Sequence, residues 1–224
     1  MELTVKSSAR LLRVSEKTVY RWISAGKIPY HRVGNQYRFD RNELATWAAE
    51  SGRPLDATQV HESEPADELP ALSEALCAGG IYYRVDARTP LAAIEEITSI
   101  MRFPDASVRG GLTEALGARE RLASTGIGKG VAIPHMRYPL EDLSNSQVTL
   151  AFPEAPIDWS AVDGEPVSII FVPLCNSMRA HLHVLSQLNY VLNHTRWRKL
   201  LDRRASRKEI LEGLAAVEPA AAEG

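Results

Sequence analysis

The chain has 224 residues, 45% of them hydrophobic and 24% charged, with a net charge of −2. That is enough apolar material for one or two packed cores, and it excludes a disordered or collagen-like chain. Two cysteines, Cys77 and Cys175, lie far apart in no metal-ligand spacing, so a reducing, cytoplasmic setting is expected, with neither metal nor other cofactor.

Met1-Glu2-Leu3-Thr4 has no basic stretch leading into an apolar one, so no signal peptide is expected. The longest apolar run, Val167 to Cys175, contains Ser168 and Pro173 and is too short for membrane insertion. Charge is unevenly spread. Residues 1–55 carry ten Lys/Arg and five Asp/Glu, a balance of +5, whereas residues 56–69 carry five acids and no base, a balance of −5. A basic head, an acidic connector and a near-neutral body predict two domains with different partners.

In the head, Thr4 is a suitable cap for a helix with the stripe Val5, Ala9 and Leu12. Ser15 is a suitable cap for Glu16 to Ser24. On that second helix Lys17, Tyr20, Arg21 and Ser24 share one face, and Val19, Trp22 and Ile23 the other. One face docks while a basic, aromatic face stays free, which is what reading a major groove requires. Val33 and Tyr37-Arg38-Phe39 flank Gly34-Asn35 and predict a hairpin. Asp40 and Glu43 predict a capping box for a last helix bearing Leu44 and Trp47.

The order helix, turn, helix, hairpin, helix, with Val14-Ser15-Glu16-Lys17-Thr18-Val19-Tyr20-Arg21-Trp22 and Gly26-Lys27-Ile28-Pro29, resembles the excisionase/MerR-like winged helix-turn-helix family over residues 1–50. The resemblance implies contact with double-stranded DNA through Lys17, Thr18, Tyr20 and Arg21, and a wing that brings Arg32 and Arg38 near phosphates. A palindromic operator would imply a homodimer, because half-site spacing mirrors protein symmetry.

Residues 51–70 are rich in Pro, Gly, Ser, Thr and acids and predict a flexible linker. Beyond it, Ile81–Val85, Val148–Phe152 and Val167–Pro173 predict strands. Leu91–Met101 (with Leu91, Ile94, Ile97 and Met101 near one face) and Gly110–Leu122 predict helices. Strands mixed with helices predict an α/β layered domain over residues 71–216, with a frayed tail over 217–224.

At its centre stands Ser124-Thr125-Gly126-Ile127-Gly128-Lys129-Gly130-Val131-Ala132-Ile133-Pro134-His135. Alternating glycines permit tight turns and close approach of N–H groups to an anion, and Pro134 ends a strand so as to present His135. A neutral imidazole there can accept a phosphoryl group on nitrogen. In a helix from Arg179 to Asn193, His181 shares a stripe with Leu185, Leu188 and Leu192 and points inward, while His183 and His194 face water. The basic stretch Arg196–Lys208 predicts a solvated helical face with Trp197 and Leu200-Leu201 turned in.

Arg119-Glu120, Thr125-Gly126-Ile127-Gly128, Ala132-Ile133-Pro134-His135 and His181-Leu182 with Leu185-Ser186 together resemble the type 2 enzyme IIA domains of the fructose/mannitol and nitrogen-regulatory branch of the bacterial phosphotransferase system. The resemblance implies a mixed sheet flanked by helices. It also implies phosphorylation of His135, a phosphate site completed by Arg119 and His181 beside a loop of Thr125, Gly126, Gly128 and Gly130, and a donor that is the histidine phosphocarrier protein or its nitrogen-branch counterpart. Members commonly have Gly or Ala after the histidine; Met136-Arg137 is a departure at the partner-facing rim. The expected function is a DNA-binding regulator with a phosphoacceptor domain, His135 standing open to its donor. The rival functions are a carrier passing phosphate to a sugar permease, or an unphosphorylated interaction module.

Overall fold

In a computed structural model the described residues are 2–33, 36–53, 69–101, 106–137, 139–140 and 143–218. The expected Gly34-Asn35 turn, most of the connector (54–68) and the end of the tail (219–224) lie outside them.

The head follows its caps. Helix α1 (Val5–Leu11) begins where the Thr4 side chain accepts from the Ser7 N–H, and α2 (Glu16–Ser24) where Ser15 accepts from Thr18 N–H. Such caps satisfy donors that a helix start leaves open. Val19, Trp22 and Ile23 are buried against Leu11, Leu12, Phe39 and Leu44. Strands β2 (His31–Val33) and β3 (Gln36–Asp40) form the expected antiparallel hairpin, and β1 (Glu2–Leu3), which no alternation signalled, completes a sheet of order β1-β3-β2. Asp40 caps α3 (Arg41–Glu50) through the N–H groups of Asn42 and Glu43. The Glu43 carboxylate, however, bonds Arg137 of the second domain at 2.9 Å.

The second domain is an α/β/α stack on a five-stranded mixed sheet of order β4-β7-β8-β6-β5. The strands are β4 (Ile81–Val85), β5 (Gly126–Gly128), β6 (Val131–Ala132), β7 (Gln147–Pro153) and β8 (Ile169–Leu174). β4 runs parallel to β7 and β6 parallel to β8; β7 with β8 and β5 with β6 are antiparallel. β8 is buried throughout, and its residues alternate between two cores. Ile169 and Phe171 pack with α4 (Leu72–Gly79), α7 (Met178–Leu192), α8 (Thr195–Asp202) and α9 (Arg207–Ala215). Ile170 and Val172 pack with α5 (Pro90–Ile100) and α6 (Ala106–Leu122). This two-sided burial is why the strand reads as a continuous apolar run. Pro173 is tolerated because β6 ends at Ala132, opposite Ile170, so Pro173 has a strand neighbour on one side only. Gly79 is required where α4 crosses β7: a Cβ there would meet the Val148 carbonyl oxygen at 2.2 Å.

Three expectations are corrected. Leu91 is 41% exposed, because it lies over Gly117 of α6, which has no side chain to cover it. His183 is half-buried and bonded to Gln187 at 2.9 Å, although His194 is exposed as expected. The tail is held further than its composition suggests: Val217 is buried, and the Glu218 carboxylate accepts from the N–H groups of Leu72 and Ser73 at the start of α4. That α4 start has no side-chain cap of its own. At the other boundary, Arg53 stacks on the rings of Trp22 and Trp47, 4.4 and 5.0 Å from their centroids, so the start of the linker is packed.

The two domains meet along α3. Leu44 and Ala48 face the head's own core, whereas Ala45 and Ala49 join the second domain's core beside α7. Small residues one turn apart allow close helix approach.

Candidate phosphoryl site at the domain junction

His135 owes its place to strand alternation. Val131 and Ile133 belong to the core on the α7 side and Ala132 to the other. The chain past Pro134 carries His135 to the α7 face, where His181 arrives on the inward stripe of its helix. The two rings are 5.5 Å apart between centroids. His135 Nδ1 lies 2.8 Å from the Ile133 carbonyl oxygen. A carbonyl only accepts, so Nδ1 carries the proton and Nε2 holds the lone pair. Burial first, then the Arg119 charge, lowers the His135 pKa to about 3, against the pull of the Ile133 carbonyl. His181 is likewise lowered to about 3 by burial, His135 and Arg119. Both rings are therefore neutral near pH 7. Neither Nε2 has an aligned hydrogen-bond partner, although both are buried.

Arg119, at the end of α6, donates from one guanidinium nitrogen to the Ala123 carbonyl at 2.9 Å, and its charge acts on both His135 and His181. It does not pair with its neighbour Glu120. That carboxylate accepts from the Thr125 N–H and hydroxyl, and Trp159 donates to the Thr125 hydroxyl at 3.2 Å. Arg119, His135 and His181, the three residues that the enzyme IIA resemblance singles out, thus lie near one another.

Two parts of the expected site are corrected. The His135 ring is fully buried, not open. Its cover is Glu50, the last residue of α3, whose Oε1 lies 3.1 Å from His135 Nε2 and 3.4 Å from the Arg119 guanidinium. The contact to Nε2 is close without being aligned as a hydrogen bond. Burial pushes the Glu50 carboxyl up to about 7 despite Arg119.

The glycine stretch is also not a cradle around His135. Gly126–Gly128 is a strand paired to β6, with its turn closed on Asp163, which accepts from the Lys129 N–H at 2.6 Å. Gly128 has φ +92°, and a Cβ there would meet Asp163 Oδ2 at 2.8 Å. Thr125 serves the Glu120–Trp159 network. A cleft of about 510 Å³ beside His135 is lined instead by Lys27, Tyr30, Glu50, Arg119, Ser124 and Arg137, among others, from both domains.

On the head, Lys17, Tyr20 and Arg21 are exposed along α2. Thr18 is half-buried at the Ser15 cap. Tyr37 ties α2 to the wing, edge-on to Tyr20 and to Tyr30 at 6.1 and 5.3 Å. The Arg32 guanidinium stacks 5.0 Å from the Tyr37 ring, and Arg38 donates to the Tyr37 carbonyl at 3.2 Å. Arg32 is thus held through Tyr37 beside the exposed face of α2, whereas Arg38, the next residue along β3, leaves the opposite face of the hairpin.

Residues 78–217 match the family described as "Phosphoenolpyruvate-dependent sugar phosphotransferase system, EIIA 2", and residues 2–52 match a family described as "Helix-turn-helix domain". The chain belongs to the EIIA 2 family and carries an amino-terminal helix-turn-helix domain. Among its relatives, the "Nitrogen regulatory protein" of Pseudomonas aeruginosa is 32% identical over 126 residues, covering 54% of this chain and 80% of that protein. The protein of the same name from Escherichia coli is 40% identical over 75 residues, which span 33% of this chain and 45% of that one. The crystal structure of nitrogen regulatory protein IIA-Ntr from Neisseria meningitidis superposes with a TM-score of 0.54 at 30% identity, covering 66% of this chain and 96% of that one. Among the described residues no helix is long and apolar enough to cross a membrane.

The buried rings give a pH signature. Between pH 6.5 and 3 the unfolded chain binds protons on His135 and His181 that the folded chain does not, so stability falls as pH drops below 6.5. Glu50 acts oppositely: between pH 7 and 4.5 its folded form holds a proton the unfolded form lacks, so it gains stability as pH falls. Two rings outweigh one carboxyl, and urea midpoints are expected to decrease from pH 6.5 to 5. His181→Gln is expected to remove about 1.4 kcal/mol per pH unit from that slope. An unchanged slope in the variant contradicts the neutral assignment.

Proposed function

We propose that this chain is a cytoplasmic DNA-binding regulator whose second domain accepts a phosphoryl group on His135. The donor is the phosphohistidine of a histidine phosphocarrier protein or its nitrogen-branch counterpart. The observation that carries this reading is one small space containing a neutral Nε2 lone pair, the Arg119 guanidinium and the unpartnered Nε2 of His181.

In the transfer, a bond forms between His135 Nε2 and phosphorus as the bond from phosphorus to the donor's ring nitrogen breaks. The donor ring, protonated on its other nitrogen, leaves as a neutral imidazole. His135 keeps its Nδ1 proton on the Ile133 carbonyl, which holds the ring while its charge becomes positive. Arg119 offers fixed positive charge to the phosphoryl oxygens, and phosphoryl transfer depends mainly on such positioning and neutralisation. On this reading His181 donates to a phosphoryl oxygen or orients the His135 ring.

The head supports the DNA half of the reading. Its exposed Lys17, Tyr20 and Arg21 form one helical face, with Arg32 of the wing held beside it through Tyr37. The family relationship supports the phosphoryl half. Incubation of the full chain with energised carrier protein, followed by analysis for acid-labile phosphate, tests it: stoichiometric acid-labile label is expected, and none would refute it.

A further inference from the structure

Glu50 raises a question that the phosphoacceptor reading leaves open. Its Oε1 contacts both His135 Nε2 and the Arg119 guanidinium. Phosphorus bonded to Nε2, with its oxygens toward Arg119, needs the volume that this carboxyl holds. Glu50 belongs not to the second domain but to the last turn of α3 in the head. Its position is secured along the whole helix. Ala45 and Ala49 are buried in the second domain's core. Glu43 is bonded to Arg137, two residues past His135. Just past the helix, Gly52 packs so closely on Asn189 of α7 that a Cβ would lie 2.7 Å from its side-chain nitrogen.

We propose that the helix-turn-helix domain is a lid on the phosphoryl site: docked, it places Glu50 where the phosphoryl group of His135 would go, so docking and phosphorylation exclude each other. The proposal rests on the phosphoacceptor reading. A donor protein reaches His135 only when α3 has left. Once formed, phosphohistidine repels Glu50 and takes over Arg119, so the lid stays off. By reciprocity, whatever factor docking imposes against phosphorylation, phosphorylation imposes against docking. Lys17, Tyr20 and Arg21 remain exposed in the docked form, so the lid gates His135 rather than shielding the DNA face. DNA influences phosphorylation only to the extent that it binds docked and undocked forms differently.

The test uses the full chain as wild type, as Glu50→Ala and as Ala49→Arg; the last wedges α3 from α7 on the face away from the head's own core. One arm needs no donor. Diethyl pyrocarbonate modifies neutral imidazole, and its rate at His135 is read by peptide mass spectrometry against exposed His194 in the same sample. The second arm measures phosphate incorporation from energised carrier protein. Both variants are expected to modify His135 about tenfold faster or more than wild type, with a parallel gain in labelling rate, because reaction tracks the open population. Equal modification of His135 in all three proteins overturns the lid and leaves the phosphoacceptor reading intact. Faster modification without phosphate on His135 in any of them refutes that reading, and the proposal falls with it.

Discussion

His135→Ala is expected to reduce acid-labile labelling to background, while Arg119→Ala reduces the labelling rate by about 10²- to 10³-fold, the usual cost of removing one preorganised charge-stabilising donor. The difference follows from role. His135 Nε2 forms the bond to phosphorus, and the Ile133 carbonyl fixes the tautomer that leaves this nitrogen its lone pair. Arg119 only lowers the barrier, so its removal leaves slow transfer. Because Arg119 also holds Glu50, the alanine variant frees the lid to some degree, and its labelling defect is best read in a Glu50→Ala background. Labelling of His135→Ala at the wild-type rate would place the phosphate elsewhere.

The second large effect concerns the head. Lys17→Ala and Arg21→Ala are each expected to weaken DNA binding. If the side chain sits on a phosphate, its removal lowers the slope of log affinity against log salt by about 0.9 and weakens all sequences alike. If it reads a base edge, its removal costs about 1–3 kcal/mol at one position of the site and leaves the slope near its wild-type value. Titrations at several salt concentrations distinguish the two. Circular dichroism should stay unchanged, because both side chains are exposed on α2 while Val19, Trp22 and Ile23 carry its packing. Affinity that neither substitution nor salt alters contradicts a DNA role for this face.

Much of the architecture was legible because local chemistry and tertiary packing agree. Ser15 and Asp40 announce helix starts that the structure places at the next residue. The α7 stripe chose His181 over His183 by periodicity alone. What was hidden required knowledge of partners in space. β1 is two residues long, too short to alternate. The glycine stretch suggested an anion cradle, but its turn closes on Asp163, 34 residues away in sequence, and no local pattern announces that contact. The burial of His135 was equally hidden, because its cover comes from another domain. Ala45 and Ala49 did offer a signal: two small residues one turn apart, on the side of α3 that Leu44 and Ala48 do not use. Met136-Arg137, read from the sequence as a departure from the enzyme IIA resemblance, was a second sign, since the Arg137 guanidinium pairs with Glu43 of the head.

The central claim is that one particular nitrogen, His135 Nε2, takes the phosphoryl group. Long-range proton–nitrogen NMR of the uniformly labelled full chain, recorded before and after treatment with energised carrier protein, tests it most directly. The account predicts that the His135 ring begins as the Nδ1–H tautomer and ends with phosphorus on Nε2. Phosphate on Nδ1, on His181, or on no histidine at all would contradict it.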